Sequence, residues 1–281
     1  MRLLKTFILL LLAFSSSLAN DSTKFEVLPH GHLFQPIALD PLQPQLFGSI
    51  VARWSDYTNK VGGQYIPFGI GGDISLLRWK GEKKIYEFEM SAGVFAQFEW
   101  KTVGNNVWQR NLLSSDYFSA LLFNVEHDKK NSTRFRLYHI SVHNGDDYMI
   151  RNKIHSYSPN PNNYEQFDIT HSYQHKNLRL YAGGGMNIRY ETIRKRLFFE
   201  LGFEYRHPLS KSFDLFVGSD VKSIEQNNFS LGFKNAMGIS LKNASKRNLM
   251  LLVEYYHGHL PYSQFEQKRY AWLGAGLVFN L

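Results

Sequence analysis

Hydrophobic and polar residues alternate with a period of two along most of the chain beyond residue 46. The clearest example runs from Leu197 to Arg206, where every second residue is apolar and the residues between them include Glu200 and Glu204. Successive side chains of a β-strand point to opposite faces, so this segment predicts a strand with one apolar and one charged face. The same pattern recurs in residues 86–99, 178–190, 213–222 and 229–241.

About twelve such segments follow one another, and many of them have ten or more residues. Strands of soluble proteins most often have ~5–6 residues, whereas strands that cross an outer membrane have ~9–11. A soluble β-sandwich also alternates, but the length of the segments favours a membrane barrel. The pattern therefore predicts an all-β fold, a transmembrane antiparallel up-and-down β-barrel of about 12 strands formed by residues 46–281.

The two ends of the predicted barrel differ in the length of their connections. Short connections are expected near residues 81–83 and 175–177, and longer ones near residues 57–64, 101–113 and 144–163. Short periplasmic turns and longer external loops are typical of outer-membrane barrels. The final strand is apolar at every second position up to the C-terminus, which resembles the C-terminal signal of bacterial outer-membrane proteins. These features indicate the bacterial outer membrane as the location.

The first 45 residues do not follow the strand pattern. Residues 1–19 combine a basic region, an apolar stretch and small residues at Ser17 and Ala19, which predicts a secretory signal peptide cleaved after Ala19. The apolar stretch is too short for a membrane-spanning helix, which needs ~20 residues. Residues 20–45 contain four prolines and therefore predict an extended N-terminal leader rather than part of the sheet.

Composition changes this picture in two respects. The chain has no cysteine, so its stability must come from the sheet and its packing rather than from disulfides. Its formal net charge is +8, but the basic residues are scattered and form no nucleic-acid footprint. No nucleic-acid partner is therefore expected. The predicted membrane barrel makes outer-membrane lipids the expected partners, and the oligomeric state stays open.

One predicted strand, residues 134–143, ends in an unusual group of polar side chains. Its alternation places His139, Ser141 and His143 together on the face that begins with apolar residues. That face should look at lipid, while the opposite face with its two arginines should look at the lumen. By the strand count this strand runs outward, so the three polar side chains are expected near the external rim.

Three segments resemble an uncharacterised family of bacterial outer-membrane proteins, catalogued as domain of unknown function 1207. They are residues 33–36, the motif from Arg136 to Asp147 and the motif from Glu254 to Phe265. The central motif is the most specific of the three, although family members usually carry Asp-Glu where this chain has Asp146-Asp147. The resemblance implies a barrel and an outer-membrane location, and it supplies no established activity.

The His-x-Ser spacing of His139 and Ser141 is similar to that of outer-membrane phospholipase A and the lipid A deacylase PagL. Both use a strand that places a histidine beside a serine on the outside of a barrel. The similarity implies a serine-dependent lipid esterase, because an imidazole within hydrogen-bond reach can take the proton of a weakly nucleophilic hydroxyl. One departure is that Val142-His143 intervenes before Asn144-Gly145, whereas the phospholipase has Asn-Gly directly after its serine.

The remaining members of such a site stay open. His143 could serve as the base instead of His139, and the two histidines could alternatively bind a metal, for which a third ligand is unplaced. Asp168 and His171 on the next strand are candidates for orienting the base. The acidic pair of the following turn offers the same role, or oxygen ligands for Ca²⁺. The weak candidates for orienting the base or binding calcium are therefore Asp146, Asp147 and Asp168.

Other functions are compatible with the same pattern. The polar side chains near the rim could simply anchor the barrel at the membrane interface. Charged residues that face the lumen would suit a channel or transport barrel, although paired charges can also fill a barrel of about twelve strands. A structural or surface-interaction barrel that presents residues 144–163 is the third interpretation.

Overall fold

The chain folds as a closed antiparallel β-barrel in a computed structural model that describes residues 24–104, 107–155, 163–188, 195–241 and 248–280. Twelve strands follow one another around the barrel, and the last strand pairs with the first. The predicted all-β barrel of about 12 strands is therefore confirmed. The predicted signal peptide, residues 1–19, lies outside the described residues.

The strands alternate in direction around the barrel. A short strand, β1 (Lys24–Val27), precedes the barrel and pairs with the end of β3. The barrel strands are β2 (Leu46–Ser55), β3 (Asn59–Lys80), β4 (Ile85–Val103), β5 (Val107–Glu126), β6 (Asn131–Asn144), β7 (Tyr164–His175), β8 (Leu178–Asn187), β9 (Leu197–Pro208), β10 (Phe213–Ile224), β11 (Leu231–Leu241), β12 (Asn248–His259) and β13 (Arg269–Asn280).

The helical elements are small. One α-helix, α1 (Asp146–Arg151), follows β6, and a 3-10 helix (Glu225–Asn227) follows β10. No helix in the described part of the chain has the length and apolarity needed to cross a membrane.

One side of the barrel is much taller than the rest. Strands β3, β4 and β5 have 22, 19 and 20 residues, whereas the other barrel strands have 10 to 14. We call the end with the β2–β3, β4–β5, β6–β7 and β12–β13 connections the upper end, and the end with the β3–β4 and β5–β6 turns the lower end. At the upper end β4 and β5 project beyond their pairing with β3 and β6, whereas β3 ends level with β2 there and extends past β2 at the lower end.

The loops predicted at residues 57–64 and 101–113 are mostly strand, so this part of the prediction was wrong. Pairing between β4 and β5 continues up to Val103 and Val107. Thr102 lies opposite Trp108 near the tip, and such β-branched and aromatic cross-strand pairs stabilise a hairpin. The polar residues between them hid this continuation of the sheet in the sequence.

The barrel wall has an apolar outer face and a polar inner face. Leu201 is 57% exposed on the outside, whereas its neighbour Glu200 is 2% exposed inside the lumen. Glu87 and Glu204 are likewise buried on the inner face. This is the reverse of a water-soluble protein and is the arrangement found in outer-membrane barrels.

From residue 34 onward the N-terminal leader runs inside the barrel. Its residues 24–27 form β1 and pair with β3, so the prediction that the leader takes no part in the sheet was wrong for this segment. Phe34, Ile37 and Leu39 are almost completely buried inside the barrel. The ring of Phe34 lies between two guanidinium groups of the wall, with the Arg134 Cζ at 4.7 Å and the Arg179 Cζ at 4.9 Å from its centroid. The leader and the wall are therefore packed as one core.

Charged groups of the wall hold the leader in place. Asp40 forms ion pairs with Lys222 and, at 3.6 Å, with Arg136. Burial by itself would raise the pKa of Asp40, but the cations Lys222 and Arg136 hold that pKa well below its usual range. The Arg134 Nη1 group donates a 2.8 Å hydrogen bond to Gln43 Oε1. Many charges of the lumen are thus committed to binding the chain's own N-terminal segment.

Candidate functional site

Strand β6 presents its two faces to different environments. Arg134 and Arg136 point into the lumen and are each 1% exposed, whereas Leu137 is 43% exposed on the outer wall. The period of two places His139, Ser141 and His143 on the same side as Leu137. All three lie at the upper end of the strand on the outer wall, and all three are at least partly exposed.

Ser141 contacts one of the two histidines that flank it. The distance between Ser141 Oγ and His143 Nε2 is 3.0 Å, which is a hydrogen bond between a hydroxyl and an imidazole nitrogen. The His143 ring meets the ring of Tyr117 edge-on, with 5.4 Å between centroids. Tyr117 is the residue opposite Ser141 on β5, so the sheet register sets this contact.

The other histidine has a carboxylate partner that the sequence did not reveal. His139 Nδ1 lies 3.0 Å from Glu165 Oε1, and Glu165 is the residue opposite His139 on β7. Both side chains are partly exposed, at 42% and 34%. A carboxylate at Nδ1 favours the tautomer with the proton on that nitrogen and leaves Nε2 as an acceptor. His139 and Glu165 therefore form an oriented pair next to Ser141.

The backbone around Ser141 pairs with only one of the two neighbouring strands. Pairing of β6 with β7 ends at Ile140 opposite Tyr164, so the residues beyond Ile140 have a neighbouring strand on the β5 side only. The N–H of Val142 donates instead to Asn163 Oδ1 at 2.7 Å. A backbone N–H directly after a nucleophile can bind an oxyanion, but in the structure this N–H is already donated to the Asn163 side chain.

The predicted acidic candidates do not contact these histidines. Asp168 is fully buried on the lumen side, where one of its oxygens lies 2.8 Å from Arg136 Nη2. Asp147 accepts a 3.0 Å hydrogen bond from the Leu112 backbone N–H, and Asp146 is exposed in the first turn of α1. His171 lies at the lower end of β7, opposite Thr133.

The Asn-Gly pair of the central motif has a structural role. The N–H of Gly145 donates to the Leu113 carbonyl at 2.9 Å, and a Cβ atom at this glycine would collide with the Leu112 carbonyl. The close approach of the two backbones ends β6 and begins α1. Part of the motif thus closes the top of the strand rather than contributing chemistry.

The structure brings possible metal ligands together at a place that the sequence did not suggest. Among the described residues, the single group of three histidine or carboxylate side chains close enough to share an ion is His32, Glu87 and Glu89, in the lower part of the lumen. Arg78 forms an ion pair with Glu87, and Asn124 donates to Glu89 at 2.7 Å. The guanidinium of Arg78 thus compensates the charge of Glu87, and Glu89 has a hydrogen-bond donor.

The comparisons with known proteins agree with the fold. The model of the family described as Protein of unknown function (DUF1207) matches residues 15–281. The structure is similar to outer membrane phospholipase A from Escherichia coli, with a TM-score of 0.56 and 11% identity over 90% of this chain and 94% of that chain. The same values hold for the Salmonella typhi outer membrane phospholipase dimer with bound calcium. Among curated protein sequences none matches. At this identity the structural similarity establishes the fold alone.

Proposed function

The chain belongs to the family described as Protein of unknown function (DUF1207). We propose from its candidate site that it catalyses serine-dependent hydrolysis of lipid acyl esters. The nucleophile is Ser141 and the base is His143. The observation that carries this proposal is the 3.0 Å contact between Ser141 Oγ and His143 Nε2 on the outer wall of the barrel. A hydroxyl in contact with an imidazole is the minimal unit of nucleophilic acyl transfer.

The reaction follows from this contact in two steps. Ser141 Oγ attacks the ester carbonyl while its proton passes to His143 Nε2, and the carbonyl oxygen becomes an oxyanion that the Val142 N–H can bind once it is released from Asn163. The tetrahedral intermediate then expels the lipid alcohol, which takes the proton from His143. Water attacks the resulting acyl-serine, His143 again accepts and returns the proton, and a free fatty acid leaves.

The surroundings of the site support a lipid as the substrate. The same strand face carries the exposed Leu137 below the site, and Ile169 and Tyr117 are exposed on the two neighbouring strands. An acyl chain can lie along such an apolar wall while its ester group reaches the polar rim. The similar barrel from Escherichia coli is a phospholipase, and this fold-level analogy points to the same class of substrate.

His139 and Glu165 offer a second base for the same nucleophile. Ser141 lies between the two histidines, two residues from each, and a change of its χ1 rotamer would turn the hydroxyl from His143 towards His139. Glu165 would then orient the base as the third member of a triad. Both assignments have Ser141 as the nucleophile. They differ in the histidine whose substitution should abolish activity, which is His143 in the first and His139 in the second.

The test is a lipid hydrolysis assay with the purified, folded barrel in mixed micelles. Release of fatty acid from phospholipid and from lipid A is measured with and without Ca²⁺, since one similar structure contains bound calcium. The proposal expects release from at least one lipid and its loss in Ser141→Ala. If the folded protein releases no fatty acid from either lipid under either condition, the hydrolase proposal fails.

The channel interpretation receives less support, because the leader occupies the lumen. Asp40, Gln43 and Phe34 of the leader are all buried against the wall. We therefore expect no steady ion conductance when the full chain is inserted into planar bilayers. A stable open pore under these conditions would favour the transport interpretation over the hydrolase.

A further inference from the structure

The barrel has a cavity of about 430 Å³ at its upper end, on the lumen side of the wall and therefore away from Ser141. Its walls come from β2, β4, β5, α1 and the segment between β12 and β13. Below it, Tyr65, Tyr256, Leu260 and Trp272 pack into a buried cluster. The cavity, which we call the upper cup, thus has this cluster as its floor.

The upper cup is strongly cationic. Among the described residues that line it, four are cations and one is a carboxylate, which leaves an excess of three positive charges. The carboxylate, Glu99, lies 3.4 Å from one cation and 2.7 Å from another, and Asn111 also donates to it at 2.7 Å. The four cations are Arg53, Lys101, Arg151 and Lys268.

Arg53 lies at the edge of the floor and has N–H groups without an acceptor among the described residues. The residue is 6% exposed, and its Cζ lies 4.5 Å from the ring centroid of Tyr65 and 4.7 Å from that of Tyr270. Within the described residues only its Nη2 group has an acceptor, Glu99, and its Nε has no hydrogen-bond partner. A guanidinium held by contacts with two aromatic rings is preorganised to bind an oxyanion.

The two outer cations have no carboxylate partner in the described part of the chain. Arg151 donates to Gln109 Oε1 at 3.1 Å, and Lys268 Nζ lies 4.6 Å from the ring centroid of Phe265. Both side chains are exposed, so they are available to a ligand that enters from above. Their charges also attract anions towards the opening.

Aromatic rings and amides complete the lining. Tyr148, Tyr270 and Phe265 offer flat apolar surfaces, and Gln109 and Asn111 offer amide groups. A pocket of this kind binds a compact ligand that has both an apolar face and several polar groups. We propose that the upper cup binds an anionic saccharide, in which a phosphate or carboxylate group contacts the cations and the sugar ring lies on the aromatic side chains.

The experiment is isothermal titration of the full chain in detergent micelles with glucose 6-phosphate, glucuronate and uncharged glucose. Both anions are expected to bind with Kd values of about 1 mM or tighter, and glucose at least about tenfold more weakly. The double variant Arg151→Gln, Lys268→Gln should weaken the anions about tenfold. The control Lys129→Gln, Lys130→Gln removes the same charge at the lower end and should leave binding unchanged.

Three results would overturn the proposal. They are equal binding of glucose and glucose 6-phosphate, equal weakening by both double variants, and no heat of binding from either anion. Arg53→Lys keeps the charge but loses the planar guanidinium with its paired N–H donors, so it should weaken binding. Circular dichroism should show that the barrel of this variant is still folded. Displacement of glucose 6-phosphate by intact but not by dephosphorylated lipopolysaccharide would identify a surface lipid as the source of the ligand, and displacement by neither would identify a soluble saccharide.

Discussion

The outer face of β6 carries two groups of similar composition at its opposite ends. At the upper end Ser141 lies between His139 and His143, and at the lower end the hydroxyl of Thr133 lies between two other imidazoles. Thr133 Oγ1 is 2.8 Å from His127 Nε2 and 3.0 Å from His171 Nδ1. A hydroxyl beside two histidines is therefore not by itself the mark of a catalytic site.

The two groups differ in how firmly the hydroxyl is held. Thr133 is β-branched, which restricts its χ1, and it is paired on both sides, with Val125 on β5 and His171 on β7. Ser141 is paired on one side only and contacts one imidazole. The lower hydroxyl thus has two imidazole partners and a restricted rotamer, whereas the upper one has a single imidazole partner on an unbranched side chain.

They differ as well in the charges around them. Among the described residues a carboxylate lies at 3.0 Å from His139, and neither lower histidine has such an ion pair. Burial, helped by Lys84 and His171, lowers the pKa of His127 and so favours its neutral form. These differences favour the upper group over the lower one as the site of the proposed hydrolysis.

The largest expected effect separates the two hydroxyls. Ser141→Ala should reduce fatty acid release by about 10³-fold or more, because it removes the nucleophile. Thr133→Ala should change the rate by no more than about twofold. Both rates are measured with the same lipid in mixed micelles after the barrel fold has been checked by circular dichroism. Equal effects of the two substitutions would remove the distinction between the groups.

The next effect separates the histidines. His143→Ala should reduce the rate by about 10²–10⁴-fold, since it removes the base that contacts Ser141. His171→Ala, at the other end of the same wall, is the matched control and should leave the rate within about twofold. If both variants keep full activity, His143 is not the base.

A smaller effect identifies the role of Glu165. With His143 as the base, Glu165→Gln should change the rate by no more than about threefold, because His139 is then only a neighbour. A loss as large as that in Ser141→Ala would transfer the role of the base to His139 and make Glu165 its orienting residue. Measurement of kcat and KM separately distinguishes this from weaker lipid binding.

The smallest effect concerns the pH dependence of stability at the lower group. Because the pKa of His127 is lowered in the folded protein, the unfolded chain binds this proton more readily, and protonation disfavours the fold as the pH falls below about 6.5. His127→Gln should therefore reduce the loss of stability between about pH 7.5 and 5.5. The urea midpoint of unfolding at the two pH values measures it, and an unchanged difference would contradict this role.

The sequence predicted most of the barrel and the face of β6 on which the candidate site lies. The period of two is a local property, so it predicted which side of β6 carries Arg136 and which carries Ser141, and the buried and exposed faces agree. Asp168 is a candidate partner of His139 because the pattern places it on the next strand. Its position in β7 places it opposite Arg136 on the lumen side.

Features that depend on long-range register were not predictable. Glu165 reaches His139 only because the connection after β6 sets β7 in one particular register. The leader was predicted to be extended from its prolines, but its place inside the lumen rests on contacts between residues far apart in sequence, such as Gln43 with Arg134. Neither contact leaves a pattern in a single sequence.

The most direct test of the central claim is covalent trapping of the nucleophile. A lipid-like fluorophosphonate reacts with an activated serine hydroxyl to form a phosphonate ester and release fluoride, and peptide mass spectrometry locates the added mass. We expect the label on Ser141, its loss in Ser141→Ala and His143→Ala, and its retention in Thr133→Ala. Folded protein that remains unlabelled, or that carries the label at another residue, would contradict the assignment of Ser141 as the nucleophile.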